Sequence, residues 1–373
     1  MAHSHVDPDG LMEFSVVFTD RSLNHMSAVF QQVMRDISGM LKDVYKADHV
    51  AIVPGGGTYG MEAVARQFGA DAHALIVRNG WFSYRWTQIF DAGQFTAQTT
   101  VFKARQAGND TRAPFAPAPI EDVTQAIREA RPDVVFAPHV ETSAGIILPD
   151  DYITQLAAAA HEVGALMVLD CIASGCVWVD MAATGVDVLI SAPQKGWSAS
   201  PSAGLVMMST RAKERLDATT SNSFAIDLKK WSSIMEAYEN GGHAYHATMP
   251  TDALRAFRDT MVETRDYGFD KLRDAQWELG NAVRDMLREK GIKSVAAEGY
   301  GAPGVVVSYT DDPDIQNGKK FAALGMQIAA GVPLQCDEPS DFRTFRLGLF
   351  GLDKLYDVAG TVERLRGVVD QVL

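Results

Sequence analysis

Residues 165–170, Ala-Leu-Met-Val-Leu-Asp, decide the fold, because five consecutive apolar residues end in one carboxylate, Asp170. Similar apolar runs occupy residues 49–53, 74–77, 133–137, 187–191 and 204–209. The runs are continuous rather than alternating, which is typical of strands covered on both faces. Amphipathic stretches such as 120–130 and 151–161 separate them. This repetition of strand and helix predicts a wound, mostly parallel α/β sheet.

After Arg211 the pattern changes. Residues 224–290 have a strongly helical pattern that includes the long run 252–290. The tail mixes predicted strands, at 304–309 and 342–349, with predicted helices at 319–330 and 353–373. We therefore predict an N-terminal segment over residues 1–20, a large domain over 21–255 and a smaller C-terminal α/β domain over 256–373.

Composition excludes several classes of protein. The 373 residues carry a formal net charge of −13, which argues against a nucleic-acid partner or a polybasic membrane surface. Three cysteines make neither a disulfide framework nor a metal cage, and the nine histidines show no convincing ligand set, so we predict no metal site. No apolar run reaches about 18 residues, and the first residues lack the layout of a secretory signal. We expect a cytoplasmic globular protein.

A glycine-rich segment, Gly55-Gly56-Gly57-Thr58-Tyr59-Gly60, follows one predicted strand and opens a helical pattern over 61–67. Glycines let a backbone approach a phosphate, and a helix N-terminus supplies free N–H groups. A dinucleotide site would also need an acid about 20 residues later, where the chain has Arg78-Asn79. The segment therefore favours a phosphate site over an NAD site, with a purely structural turn as the alternative.

Two charged residues follow buried strands, at the edge of a parallel sheet where ligands bind. Asp170 would be costly there without a cationic partner, unless it only caps the next turn. Lys195 lies in a loop of small residues, where desolvation would lower its pKa and yield a nucleophilic amine; a solvated surface lysine is the alternative. A phosphate cradle, an acid and a lysine 25 residues after it suit pyridoxal 5'-phosphate, which needs all three.

The order of these motifs resembles the fold-type I pyridoxal-phosphate enzymes of the class V aminotransferases, and most of all the alanine–glyoxylate and serine–glyoxylate group. The resemblance covers about residues 20–365. The segment from Asn79 to Arg85 resembles the family's Asn-Gly-x-aromatic-Gly-x-Arg pattern, and that from His139 to Gly145 resembles the segment beside the cofactor ring. The resemblance implies a large domain with a seven-stranded-type sheet, a smaller C-terminal domain and a homodimer with shared active sites.

The resemblance also implies the residues that hold the cofactor phosphate: Gly56, Gly57, Thr58 and Gln194 from the same chain, and Tyr245 and Thr248 from the partner subunit of the dimer. Physical chemistry supports these roles independently. The hydroxyl and amide side chains can donate hydrogen bonds to a phosphate, and the glycines offer backbone N–H groups.

Further roles implied by the resemblance concern the ring and the substrate. Phe82 would stack on the ring, Thr142 would lie beside the ring oxygen, and Asp170 would keep the ring nitrogen protonated. Lys195 would be the Schiff-base lysine and the catalytic base. Arg346 would clamp the substrate carboxylate. Arg343 is a rival for that role, although its odd spacing from position 346 puts it on the opposite strand face.

The implied reaction moves an amino group from a small amino acid of the alanine or serine type to a small 2-oxo acid such as glyoxylate or pyruvate. Two departures from the family pattern concern the pocket. Asp7-Pro8-Asp9-Gly10-Leu11, followed by Phe14-Ser15-Val16-Val17, replaces the usual Pro-Gly-Pro turn, and Ser83 replaces a glycine. A reshaped substrate pocket is therefore expected.

Other functions stay open at this point. A lyase or desulfurase could use the same fold, and a desulfurase would need a cysteine on a mobile loop such as the one around Cys336. An ordinary exposed thiol is the alternative there. A nucleotide-binding oxidoreductase or a non-catalytic binding protein would share the sheet but not the lysine chemistry. We interpret His139 and His246 as hydrogen-bonded structural histidines.

Overall fold

The computed structural model of the protein describes residues 5–15 and 20–373. Val16 and Val17, part of the altered N-terminal turn, lie outside the described residues. The helices of the first half are α1 (Ala28–Tyr45), α2 (Gly57–Phe68), α3 (Trp81–Gly93), α4 (Ile120–Ala130), α5 (Asp150–Glu162) and α6 (Met181–Thr184). The long strands are β1 (His49–Pro54), β2 (His73–Arg78), β3 (Gln98–Lys103), β6 (Val134–Pro138), β9 (Leu166–Asp170), β10 (Val188–Ser191) and β11 (Ala203–Met208). The short strands form two hairpins, β4 (Arg105–Gln106) with β5 (Phe115–Ala116), and β7 (Val140–Glu141) with β8 (Ile146–Ile147).

The seven long strands form one sheet in the order β1-β11-β10-β9-β6-β2-β3. All neighbours are parallel except β11, which is antiparallel to both β1 and β10. This confirms the predicted α/β fold with a mostly parallel sheet, and each of the six apolar runs matches a strand to within one residue at either end. β3 was not predicted, because it is an edge strand whose side chains are exposed or half-buried and therefore mostly polar.

The second half of the chain adds helices α7 (Thr210–Ala218), α8 (Leu228–Glu239), α9 (Thr251–Tyr267), α10 (Phe269–Glu289), α11 (Pro313–Gln316), α12 (Lys319–Ala323), α13 (Leu352–Leu355) and α14 (Val358–Val372). Its strands β12 (Val305–Tyr309), β13 (Ala329–Ala330) and β14 (Thr344–Gly348) form a small antiparallel sheet in the order β12-β14-β13. None of the described helices is long and apolar enough to cross a membrane.

Glycines interrupt two of the predicted helices. The helical run 252–290 breaks at Gly268, whose φ of +113° is accessible mainly to glycine. The helix predicted over 319–330 is wrong in its second half, since α12 ends at Ala323 and Gly325 adopts a φ of +78°. Beyond it, Ala329 pairs with Arg346 across the small sheet, so backbone pairing replaces the expected helix.

Apolar packing divides among three clusters. One is built on both faces of the seven-stranded sheet and includes Leu254, Phe257 and Met261 of α9. The second packs α10, from Leu272 on, and α14 against the small sheet, and the third joins the β7–β8 hairpin to β12. The predicted domain boundary at 255/256 stays a prediction, while the change of core partners coincides with the glycine break between α9 and α10.

Helix α2 lies unusually close to the sheet because two glycines face each other. A Cβ added to Gly204 of β11 would lie 2.7 Å from the Cα of Gly60 in α2. A Cβ added to Gly57 would lie 2.6 Å from Ile172, just beyond β9. Backbone contact therefore seats the N-terminus of α2 directly above the carboxyl ends of the central strands.

Candidate active site

A cavity of about 380 Å³ opens at the carboxyl ends of the central strands. It is lined by eight of the eleven residues that the sequence singled out: Gly57, Thr58, Phe82, Thr142, Asp170, Gln194, Lys195 and Arg346. The small sheet contributes Arg346, so both halves of the chain build the cavity. The motifs that are scattered over 290 residues in sequence meet at the edge of the parallel sheet, where ligands of such folds bind.

Three of the predicted residues do not line this cavity. Gly56 is the N-cap of α2, directly before the lining residues Gly57 and Thr58. Tyr245 and Thr248 lie on an exposed loop after α8, with 3.2 Å between the Tyr245 hydroxyl and Thr248 Oγ1. The side chain of Tyr245 is 58% exposed, so these two residues face solvent rather than the cavity of their own chain.

One end of the cavity is suited to an anion. The first turn of α2 faces this end of the cavity. It presents backbone N–H groups that have no acceptor within the helix, together with the positive end of the helix dipole. Gln194, on the loop after β10, has a buried Oε1 atom without a hydrogen-bond partner among the described residues. An amide oxygen accepts hydrogen bonds, so this atom requires a donor, while the NH₂ group of the same side chain can donate to an anion.

Asp170 is a buried carboxylate at the end of β9, only 7% exposed. The N–H of Ile172 donates a hydrogen bond of 3.0 Å to its Oδ1 atom, and the described residues offer it no ion pair. Burial raises the pKa of Asp170 to about 7, helped by the charge of Glu141 and opposed by the Ile172 N–H and Arg85. A cationic ligand would restore its charge, because an adjacent positive charge favours the ionised carboxylate.

His139 supports this region as a neutral structural residue. Its backbone N–H donates to the carbonyl of Asp170, and its Nδ1 lies 2.7 Å from Ser174 Oγ. Burial lowers the pKa of His139 to about 3, so the ring carries no charge near neutral pH.

The amine of Lys195 lies in the same cavity, with Nζ 5.2 Å from the centre of the Phe350 ring. Burial, and then the charge of Arg346, lower the pKa of Lys195. A lysine held in this way loses its proton more easily than one in water, which makes it a better nucleophile and base.

Arg346 is the cation of the small sheet that faces the cavity. Its Nε donates a 2.7 Å hydrogen bond to the Ala330 carbonyl, which leaves the far end of the guanidinium available, and its Cζ lies 5.6 Å from the Phe82 ring centre. Burial lowers the pKa of Arg346. Arg343 points away, since its Nη1 donates to the carbonyl of Asp311.

Sequence reasoning missed the part played by Glu141. Its carboxylate is fully buried and accepts hydrogen bonds from the backbone N–H groups of Phe82 (3.2 Å), Ser83 (2.8 Å) and Ser143 (3.1 Å). The hydroxyls of Ser83 and Ser143 donate two more. The carboxylate thus caps α3 at the turn that carries Phe82. A glutamate among buried hydroxyl residues, with no cation nearby in sequence, was the available signal.

Ser83, which departs from the family's glycine, takes part in the same network. Its Oγ lies 2.9 Å and 3.1 Å from the backbone nitrogens of Asn79 and Gly80, which donate to it. The substitution therefore adds hydrogen bonds at the start of α3 instead of blocking the cavity.

Arg85 also lines the cavity without a predicted role. Its Nη1 donates a 2.9 Å hydrogen bond to Thr58 Oγ1, and its Cζ lies 5.1 Å from the centre of the Phe82 ring. Residues three apart on a helix share one face, so the position of Phe82 already implied that Arg85 points into the site.

Cys336 differs from the expected exposed thiol. It is only 5% exposed, and its Sγ donates to the carbonyl of Arg78 over 3.4 Å. Burial raises the pKa of the Cys336 thiol to about 12. The polar residues around Cys336 in sequence suggested an exposed loop. Instead, the Glu338 carboxylate accepts hydrogen bonds from the N–H groups of Leu334, Gln335 and Cys336. These bonds close the loop over the thiol.

The cavity fits pyridoxal 5'-phosphate in three respects. The N-terminus of α2 suits a phosphate, the unpaired Asp170 suits a pyridinium nitrogen, and Lys195 supplies an amine for the aldehyde. Phe82 offers a flat face between the two ends.

Comparison with known proteins agrees with this fit. Residues 13–303 match the family model described as aminotransferase class-V. The chain is 25% identical over 330 residues to an alanine–glyoxylate aminotransferase of Saccharomyces cerevisiae, covering 83% of this chain and 82% of that protein. It is 24% identical to a 2-aminoethylphosphonate–pyruvate transaminase of Paraburkholderia phymatum, over 92% of this chain and 90% of that protein.

The fold is also similar to solved structures. The crystal structure of an alanine–glyoxylate aminotransferase from Nostoc sp. superposes with a TM-score of 0.76 at 22% sequence identity. The superposition covers 94% of this chain and 89% of that one, which shows that the two share a fold over nearly their whole length.

Proposed function

This chain belongs to the aminotransferase class-V family and is a pyridoxal phosphate-dependent aminotransferase, and from that premise we propose that it moves an amino group from a small amino acid of the alanine or serine type to a small 2-oxo acid such as glyoxylate or pyruvate. The observation that carries the proposal is the meeting of Asp170, Lys195 and Arg346 in one cavity. The two curated relatives support the acceptor, since their names contain glyoxylate and pyruvate.

When bound, the cofactor supplies an aldehyde that takes up the amino group and a protonated ring that accepts electrons. In our proposal Gly56, Gly57, Thr58 and Gln194 bind its phosphate, Phe82 supports one face of its ring and Thr142 approaches the ring oxygen. Asp170 holds the proton on the ring nitrogen. A buried carboxylate is strong in this role, because little solvent screens the ion pair.

Lys195 is the proposed acid and base of the reaction. Its Nζ takes the proton from the Cα of the amino donor and returns a proton on the cofactor side, which requires an amine that is uncharged for part of the cycle. The lowered pKa of Lys195 favours that state near neutral pH.

Arg346 is proposed to bind the carboxylate that amino and 2-oxo acids share. Its guanidinium is always charged and can donate two parallel hydrogen bonds to a carboxylate. In this proposal the cavity of about 380 Å³ holds the cofactor and the substrate together.

The alternative reaction, that of a lyase or desulfurase, is less well supported. A desulfurase needs a reactive thiolate within reach of the substrate. Cys336 is buried, its pKa is raised to about 12, and it does not line the cavity.

The test is a donor and acceptor screen on the purified holoenzyme. We expect alanine or serine to give pyruvate or hydroxypyruvate when glyoxylate is the acceptor, and no ammonia or sulfide to be released. Lys195→Ala should abolish both the visible absorbance of the lysine-bound cofactor and the transfer. Steady release of ammonia without an acceptor would refute transamination in favour of a lyase.

We further propose a homodimer whose subunits complete each other's sites, with Tyr245 and Thr248 binding the phosphate in the partner. In support, both residues lie outside the cavity of their own chain. Exposed apolar side chains, including Phe14 (82% exposed) and Phe224 (79%), provide surface for an interface.

Complementation tests this arrangement. Lys195→Ala and Thr248→Ala chains, each impaired alone, should regain activity when co-expressed, because one site of each mixed dimer is then intact. If the two kinds of chain pair at random, about a quarter of all active sites should be intact, compared with all of them in wild type. No recovery, or a monomer in sedimentation analysis, would contradict shared sites.

A cytoplasmic location is proposed from composition alone. The three cysteines are free thiols, as expected in a reducing compartment, and cell fractionation would test it.

A further inference from the structure

A second cavity, of about 560 Å³, lies away from the candidate active site and shares no lining residue with it. Its walls are the tip of the β4–β5 hairpin (residues 107–114), the end of α10, the segment after that helix and strand β12. In sequence the hairpin lies between β3 and β6 of the seven-stranded sheet, whereas α10 and β12 come from the second half of the chain. The cavity therefore lies where the two halves of the chain meet.

The charge of this cavity is opposite to that of the protein. The chain as a whole carries −13, yet the lining contains four cations, Arg112, Arg284, Arg288 and Lys293, and a single acid, Asp110. The remaining wall is largely apolar and includes Pro114, Leu287, Ile292 and Val306. A concave, mostly apolar surface with a few converging charged groups is the usual form of a small-molecule site.

Three of the four cations are already paired. Arg112 contacts Asp311, Arg288 contacts Asp285 at 2.9 Å, and Lys293 contacts Asp110. Each of these pairs is partly exposed, so it is weak and open to exchange with a ligand.

Arg284 is different, because it is half-buried and has no acidic partner among the described residues. Its Nη2 donates only to the carbonyl of Ala302. Arg288 lies one turn further along α10, and like charges at this spacing repel each other. Burial and the charge of Arg288 lower the pKa of Arg284 to about 10, and the charge of Asp285 opposes this shift only in part. An anion placed between these two arginines would relieve that repulsion.

We propose that this cavity binds a small organic dianion, a dicarboxylate, with Arg284 as the anchoring residue. One carboxylate accepts two hydrogen bonds from the Arg284 guanidinium, and the carbon chain lies on the apolar wall. The volume and the apolar wall favour a dicarboxylate over an inorganic ion, which would leave most of the space unfilled.

The test is calorimetric titration of the holoenzyme with succinate at constant ionic strength, with acetate and sulfate in parallel. We expect saturable succinate binding that Arg284→Met weakens at least tenfold and Arg284→Lys weakens less. Arg273→Met is the matched control on the same helix, since Arg273 pairs with Asp270 and Asp274 outside the cavity, and it should leave succinate binding unchanged.

The active site can also bind carboxylates, so Arg346→Met is tested as well. Succinate binding that depends on Arg284 should persist in Arg346→Met, whatever the reaction the enzyme catalyses. The proposal is overturned if wild type shows no saturable binding, if Arg284→Met binds as wild type does, or if only Arg346→Met removes binding. Sulfate binding of equal strength and equal dependence on Arg284 would overturn the assignment to organic dianions.

Discussion

Ser83 Oγ donates a hydrogen bond of 2.7 Å to Glu141 Oε2, and both side chains are completely buried. The pair joins the N-terminus of α3 to the β7–β8 hairpin, 58 residues away in sequence. Phe82 lies between them in the network, since its N–H also donates to the Glu141 carboxylate. The orientation of the predicted stacking ring therefore depends on a carboxylate that does not line the cavity.

Glu141→Gln tests this dependence. The glutamine amide has one acceptor oxygen instead of two, and its NH₂ group would face N–H donors. We expect the free energy of unfolding to fall by about 2–3 kcal/mol, because hydrogen bonds at the start of α3 are lost. Apoenzyme carrying the change should bind the cofactor at least tenfold more weakly, and the bound cofactor should show reduced visible circular dichroism. Ser143→Ala, which removes a hydroxyl but no charge, should have a smaller effect. Equal effects of the two changes would contradict a special role for the carboxylate.

Arg85→Met should weaken cofactor binding about tenfold, because the only guanidinium seen to contact Thr58, among the described residues, is that of Arg85. We expect the effect to require the phosphate. Reconstitution of apoenzyme, followed by absorbance, should show a loss with pyridoxal 5'-phosphate and almost none with unphosphorylated pyridoxal. Equal losses with both compounds would place Arg85 elsewhere in the mechanism.

The raised pKa of Asp170 predicts a pH dependence of apoenzyme stability. Burial raises the pKa of Asp170 in the folded protein to about 7, whereas the ordinary pKa of a free aspartate side chain is 3.8. The stabilisation that the protonated Asp170 side chain contributes to the folded protein is complete below pH 3.8 and is lost as the pH rises through 7. Between pH 5 and 8 the free energy of unfolding of the wild-type apoenzyme should therefore fall by on the order of 2–3 kcal/mol relative to that of Asp170→Asn.

Urea unfolding of both proteins at the two pH values measures this difference. The comparison is needed because His139 acts in the opposite direction. Its lowered pKa makes the folded protein more stable as the pH rises from about 3 to about 6.5, and His139 is present in both proteins. A pH dependence that is the same with Asp170 and with asparagine would mean that the carboxylate is charged in the apoenzyme.

Gly204→Ala should destabilise the protein by about 2–3 kcal/mol, because its new methyl group would meet the backbone of Gly60 at 2.7 Å. Gly39→Ala, in an open position of α1 with no atom within 4 Å of the added Cβ, is the control. It should stabilise the protein by about 0.5–1 kcal/mol. Thermal or urea unfolding of the two variants compares them, and similar stabilities would contradict tight glycine packing.

The sequence predicts those parts of the fold in which burial is uniform. A strand covered on both faces can tolerate only apolar residues, so the run ending at Asp170 identifies β9 almost to the residue. The half-exposed edge strand β3 carries polar residues and gives no such signal. The break at Gly268 and the short strand at Ala329 depend on backbone angles and on partners distant in sequence, which local periodicity cannot reveal.

The residues of the candidate site also fall into those that the sequence predicts and those that it does not. Asp170 and Lys195 are predictable because strand ends are where ligands bind, and their chemistry is unusual beside apolar runs. Glu141 and Cys336 are not, since their burial results from loops that fold over them. Neighbouring polar residues made Cys336 look exposed, and Glu141 was given no role; hydrogen bonds to residues distant in sequence reveal the position of both.

The position of β11 sets a condition on how this protein is made. β1 lies at the edge of the described sheet beside β11, and the paired residues Pro54 and Ala203 are about 150 positions apart. At synthesis rates of 5–20 residues per second, the ribosome delivers β11 about 8–30 s after β1. Throughout that interval the apolar residues of β1 in the nascent chain are without their final neighbour. This edge of the sheet can therefore close only after β11 has been synthesised.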